Sequence, residues 1–286
     1  MRKTYSYLPT SFSFSNAHYS GDIPSQTEIS ETSIFTSCTF NTRGSCGGAI
    51  YFTGSGASLT VTDSVFNKCN STSDHGGAIY CGNCGKVSIM KSAFIVCASP
   101  VVCFGGGIYV IGASAVPEIT VNNFISCEAG QDGGGLYLIQ IEGGTNGANL
   151  PVRNCKFIGC IANGILLNGD NDADAGGLLY WQSDYTLGIS NSVFAKCESK
   201  KRCGGSSIII SKPSFSNVIR FCFYCENIAP QGRNALVHFS PTNWEPWDIV
   251  FFHSFTSDSS LTNSLVLNLP AASEVNDDWL PFGDIR

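Results

Sequence analysis

The chain has 286 residues, of which 13% are charged and 43% hydrophobic, with 31 glycines, 14 cysteines, 19 phenylalanines and 10 tyrosines. So many aromatic groups and so little charge exclude intrinsic disorder, and a net charge of −6 leaves no basic surplus to neutralise nucleic-acid phosphates. No apolar run approaches the roughly 18 residues that a membrane helix requires.

Residues 1–30 read as an irregular segment or N-terminal cap. Arg2 and Lys3 precede a stretch in which Ser, Tyr and Pro interrupt the apolar residues, so no secretory leader is legible. Read alone, the start leaves two expectations: a cytosolic chain, or one segment of a longer secreted or membrane protein.

Residues 31–239 carry two interleaved repeats. GGAIY stands at 47–51 and at 76–80, followed by GGGIY at 105–109, GGGLY at 133–137, GGLLY at 176–180 and GGSSI at 204–208. The period is 28 or 29 residues, with one interval of 43. Between these strings fall six Phe-x-x-Cys motifs, beginning at Phe35, Phe66, Phe94, Phe124, Phe157 and Phe194, and RFCFYC at 220–225 reads as a blurred seventh. Such self-similarity is the mark of a repeat architecture.

The columns of the repeat predict extended chain. Val61, Ile89, Ile119, Val152 and Ile189 stand five residues before a Phe, and Leu59, Val87, Pro117, Leu150 and Leu187 seven before. Apolar residues two apart mean a strand with that face buried. Ser64, Ser92, Asn122, Cys155 and Ser192, two before the Phe, are bend-forming types apart from the cysteine. After the glycines, Ile50 and Phe52, Ile79 and Cys81, Ile108 and Val110, Leu136 and Leu138, and Leu179 and Trp181 share a second inward parity. Three short strands per repeat, with no helical periodicity, predict an all-β chain. Its expected form is a right-handed parallel β-helix, a pectin-lyase-like solenoid of about seven coils. At the strand spacing the rod is about 34 Å long. A propeller is the alternative, but a blade needs about 40–45 residues. Residues 240–286, with Trp244, Trp247 and Trp279, read as the C-terminal cap or tail.

The alternation of Gly-Gly-Ala-Ile/Leu with Phe-x-x-Cys resembles the polymorphic outer membrane protein repeats of chlamydiae, and similar repeats in large surface-protein families of parasitic protists. In the chlamydial pattern the second motif usually ends in Asn. Its ending in Cys here looks more like the protist branch. The resemblance covers about residues 31–210. It implies a β-helical stalk at the cell surface or outside the cell, used in adhesion to a protein or carbohydrate ligand, and it brings no catalytic residues.

Several residue sets remain as site candidates. Tyr51, Tyr80, Tyr109, Tyr137 and Tyr180 follow the inward isoleucines and leucines with opposite parity, which predicts an outward file of rings. Such a file either shields the sheet or stacks on a sugar or protein partner. Asp170, Asp172 and Asp174 alternate in a long loop and could wrap calcium, although Ala175 and Trp181 stand where an EF-hand needs Gly and Glu. No other cofactor is expected. That loop, and a second one at 141–149, interrupt neighbouring coils and are where recognition commonly sits.

The Phe-x-x-Cys thiols can form a buried file of small hydrophobes. They can alternatively form local disulfides such as Cys97–Cys103, Cys197–Cys203 or Cys38–Cys46. CGNC at 81–84 and CFYC at 222–225 lie too many coils apart to share one zinc ion. Asp132 and Asp174, each just before a glycine pair, leave a polysaccharide lyase or hydrolase as the alternative function. A degenerate structural fragment of a repeat family is a third.

Overall fold

The computed structural model describes residues 4–5, 13–22, 29, 31–139, 152–164, 176–181, 188–200, 207–210, 217–220, 222–228, 237–239, 249–252 and 255–256. Within these, every regular element is a β-strand and every strand pairing is parallel. Strands from successive repeats lie side by side in three long sheets, which gives a parallel β-helix.

One sheet, here the leucine–valine sheet, runs from Ser13–Ser15 to Ile249–Phe252 in nine strands. The phenylalanine sheet has eleven, with its main path from Thr4–Tyr5 to Phe255–Thr256. The glycine sheet has seven, from Ile50–Phe52 to Val237–Phe239. A fourth, three-stranded sheet, Glu128–Ala129, Ile161–Ala162 and Glu198–Ser199, follows the cysteine corner and was not legible in the repeat. Five successive coils between Ser33 and Trp181 form the regular body. The sheets begin before residue 31 and continue past residue 239, into both segments read as caps.

Identical columns stack as the spacing predicts. Ile50, Ile79 and Ile108 are in register, as are Tyr51, Tyr80 and Tyr109. Val61, Ile89, Ile119, Val152 and Ile189 form a second file, and all five are fully buried. The third file is aromatic. Tyr19, Phe40, Phe66, Phe94, Phe124, Phe157, Phe194 and Tyr224 stack with centroids 4.6–5.2 Å apart and planes within 10° of parallel. The strand spacing imposes that separation, and it coincides with the distance at which rings prefer to stack.

Two register expectations are corrected. Phe35 and Cys38 do not open the Phe-x-x-Cys file. Phe35 pairs with Val61, in the leucine–valine sheet, and Phe40 takes the place below Phe66. Cys38 then falls two before the ring, level with Ser64, whose hydroxyl accepts the Cys38 N–H at 3.1 Å. The second correction concerns GGLLY. Leu178 pairs with Leu136 and is fully buried, so Tyr180 pairs with Leu138 and leaves the tyrosine file, where Leu179 replaces it. Leu178 therefore holds the inward position expected of Leu179. The hydrogen bonds from Gly135 and Leu136 to the Gly177 carbonyl fix this shift, because they match those from Gly107 and Ile108 to Gly135 one coil earlier.

The paired glycines divide two requirements. The first, at Gly47, Gly76, Gly105 and Gly133, has φ of +52° to +69°, a region L-residues avoid. The second has no such need but lies against the next coil. A Cβ on Gly77 would overlap the Gly106 carbonyl oxygen and come within 2.6 Å of the Ala98 backbone.

Both bends around the aromatic file follow one rule. A residue at positive φ precedes an inward small polar group or thiol. On the entering side Asp63, Lys91, Val121, Asn154 and Asn191 have φ of 48° to 60°. They precede Ser64, Ser92, Asn122, Cys155 and Ser192, all buried. On the leaving side Lys68, Val96, Ser126, Gly159, Lys196 and Glu226 have φ of 51° to 61° and precede Cys69, Cys97, Cys127, Cys160, Cys197 and Asn227.

Candidate functional site

The thiols are structural groups first. Cys97, Cys127, Cys160 and Cys197 each donate to the carbonyl of the ring residue one coil earlier, Phe66, Phe94, Phe124 and Phe157, at 3.3–3.4 Å. In the next coil Asn227 does the same with its amide, donating to Phe194 O at 2.9 Å and accepting from Cys197 N at 3.0 Å. Asn122 serves the entering bend identically, between Ile89 O and Ser92 N. Cys and Asn are thus interchangeable at these corners because each supplies a donor to one inward carbonyl. Every described cysteine is a free thiol, so the file forms and neither Cys97–Cys103 nor Cys38–Cys46 is bridged, while Cys203, the expected partner of Cys197, lies outside the described residues. Burial pushes the Cys97, Cys127 and Cys160 thiols well above their ordinary range, and Cys155 to about 12.

The tyrosine file lies on the outer side of the glycine sheet, apart from the main core. It is not an open ladder of rings. Tyr109 is 5% exposed and Tyr137 1%, while Tyr51 and Tyr80 are half-buried. The cover comes from a file that sequence reasoning did not assemble: Cys46, His75, Phe104 and Asp132, the residues immediately before the glycine pairs. Backbone hydrogen bonds from Gly47 to His75, Gly76 to Phe104 and Gly105 to Asp132 hold these four in vertical succession. The His75 ring lies 4.5 Å from Tyr109 and 4.9 Å from Phe104, and Phe104 lies 4.9 Å from Tyr137. The signal was present, since all four precede a glycine pair, but four unlike residue types do not announce a column.

This corner gathers titratable groups of three kinds, a thiol, a carboxylate and an imidazole. Cys46 Sγ lies 3.4 Å from Asp74 Oδ2, and His75 Nε2 3.5 Å from Asp74 Oδ1. His75 Nδ1 accepts the Phe104 backbone N–H at 3.1 Å, which places the ring proton on Nε2, facing Asp74. Burial holds the imidazole below its ordinary range, against the opposing pull of the Asp74 charge. Burial and the Asp74 carboxylate together push the Cys46 thiol up to about 11. Burial, with the same charge, takes Cys103 to about 11. A nucleophilic cysteine needs a cationic or basic neighbour that lowers its pKa. Here the neighbour is an anion and the histidine is engaged elsewhere, so the arrangement keeps a neutral thiol.

Among the described residues no group of three or more His, Cys, Asp and Glu side chains is placed to hold a metal. Asp170, Asp172, Asp174 and most of the two long loops lie outside the described residues. Asp132 is buried beside the tyrosine file, and its expected partner Asp174 is not among the described residues. No helix is long and apolar enough to cross a membrane among the described residues.

Stacked parallel coils, internal ring and thiol files and glycine corners define a β-solenoid. The family model for the right-handed beta helix region matches residues 14–177, more than half of the chain, and the chain belongs to that family. Neither the curated proteins nor the solved structures contain a significant match to it.

Proposed function

We propose that this chain is a non-catalytic β-helical segment of a surface or secreted adhesin-like protein, attaching to a protein or carbohydrate ligand. One observation supports this most. The described groups that recur in the two motifs serve the scaffold: rings, thiols and isoleucines lie inside, glycines lie at corners, and the inner tyrosines are covered. Recognition then belongs to what varies between coils, namely outward residues and the two inserted loops. The repeat resemblance supplies the class of task. The Cys46–Asp74–His75 corner supports the non-catalytic part, because its hydrogen bonds hold a neutral thiol beside a carboxylate.

The test uses beads coated with the full chain and offered to intact cells and to a panel of immobilised glycans. Retention that soluble chain competes away is the expected result. Beads that fail to bind at any coating density, with antibody reaching the protein only in permeabilised producer cells, would defeat the reading. Turnover of any polysaccharide in the same panel would overturn its non-catalytic part.

A further inference from the structure

The CGNC turn joins the glycine sheet to the leucine–valine sheet in one coil. Strand Ile79–Gly82 ends there and strand Lys86–Met90 begins. Cys81 points into the core, in register with Phe52 and Val110. Asn83, at φ +47°, turns the chain, and its N–H bonds to Ile111 O at 2.8 Å. The turn thereby brings Cys84 back onto Cys81. The Cys81 S–H donates to Cys84 Sγ at 2.8 Å, and both residues are buried. The file cysteines at the aromatic corners differ, because each directs its S–H to a backbone carbonyl. At the CGNC turn the two sulfurs belong to one turn of a single coil, whereas the file thiols follow one another from coil to coil.

We propose that Cys81 and Cys84 are an oxidisable pair that closes a disulfide across this turn, while the file cysteines stay reduced. The inference stands whether or not the attachment reading holds. The oxidant class is a low-molecular-weight disulfide of the glutathione type. Cys84 reacts first, because it accepts the hydrogen bond and that bond favours its thiolate. The Cys84 thiolate attacks one sulfur of the small disulfide. That S–S bond breaks, one small thiolate leaves with the electron pair, and a mixed disulfide remains on Cys84. Cys81 then gives up its proton, attacks the Cys84 sulfur and expels the second small thiolate. Two protein thiols are oxidised, one small disulfide is reduced to two thiols, and the two protons pass to the leaving thiolates. Because both sulfurs are buried, exchange proceeds through local opening of the turn, and oxidation is slow in the folded chain.

The full chain is equilibrated in a series of reduced-to-oxidised glutathione ratios, quenched in acid, denatured and treated with a maleimide. Cleavage by trypsin and chymotrypsin together releases residues 81–86, which hold both thiols and no other cysteine. In the oxidising samples this peptide is expected without maleimide and two hydrogens lighter than the dithiol, while peptides holding Cys97 and Cys127 carry maleimide throughout. Two maleimides on residues 81–86 at every ratio would overturn the proposal. The order of attack has its own check. Cys81→Ser is expected to trap glutathione on Cys84, whereas Cys84→Ser leaves Cys81 unmodified. Equal trapping on either cysteine would refute the assigned order. The wild-type peptide carries the test even if a variant fails to fold.

Discussion

The aromatic file makes a quantitative prediction about coupling between coils. Phe94 is fully buried, with Phe66 4.7 Å below and Phe124 5.0 Å above. Replacing it by Leu keeps most of the apolar volume but removes two stacked pairs, each worth roughly 0.5–1.5 kcal/mol beyond area burial. Phe94→Leu is therefore expected to cost about 1–3 kcal/mol, and Phe94→Ala about 3–5 kcal/mol because a cavity is added. The stacking contribution separates from volume in a double-mutant cycle. In Phe66→Leu/Phe94→Leu the shared pair can be lost only once, so the double variant should cost about 0.5–1.5 kcal/mol less than the sum. The control cycle joins Phe66 with Phe157, which do not touch, and should be additive within about 0.5 kcal/mol. The assay is equilibrium urea unfolding followed by far-ultraviolet circular dichroism and extrapolated linearly. Tryptophan fluorescence must give the same transition, because solenoids can lose two-state behaviour. Equal coupling in the two cycles would refute the claim that ring-on-ring contact holds successive coils together.

Other perturbations follow from the corners and thiols. Gly77→Ala sets a Cβ against the Gly106 carbonyl, so loss of soluble folded protein is expected, seen as loss of the strand signal in circular dichroism. Gly56→Ala meets nothing within 4 Å at φ +75° and should cost only about 1–2 kcal/mol by urea unfolding. Asn227→Ala strands the Cys197 N–H and the Phe194 carbonyl and should cost about 1–3 kcal/mol in the same assay, with Asn227→Cys recovering part of it. For pH, the Cys46 and Cys103 thiols lie near 11 in the folded chain against an ordinary 9.0. The folded state holds their protons longer, so their contribution is complete below pH 9 and falls as pH rises towards 11. Melting midpoints measured from pH 7 to 11 should decline over the upper half of that range, and less in a Cys46→Ser/Cys103→Ser variant.

Most of the architecture was legible because stacking repeats its demands at fixed intervals. The isoleucine file and the aromatic file from Phe66 to Phe194 both followed from spacing. The misreadings came from matching strings instead of spacing. Phe35 was grouped with the file because a Cys stands three residues later. Yet it lies five residues before Phe40, as Val61 lies before Phe66, and that interval places it in the leucine–valine sheet. GGLLY was aligned by its glycines, although Gly177 occupies the place of Gly135, which moves Tyr180 by one residue. Tyr51, Tyr80, Tyr109 and Tyr137 lie outside the main core as expected, whereas Tyr180 leaves their file, and the cover over them was not foreseen. It is built from Cys46, His75, Phe104 and Asp132, whose chemistry has nothing in common except position.

The positive-φ residues at the two bends have a consequence for how such a rod can change. Val96 and Val121 occupy a conformation that a β-branched side chain resists, at φ +53° and +60°. Lys, Ser, Asp, Asn and Glu hold the equivalent places in other coils. Neighbouring coils, and not the local residue, therefore dictate the bend. These side chains are exposed except at Gly159, and they run as two parallel lines along the molecule. Each coil thus offers a pair of letters that can be rewritten while the spelling of the interior stays the same.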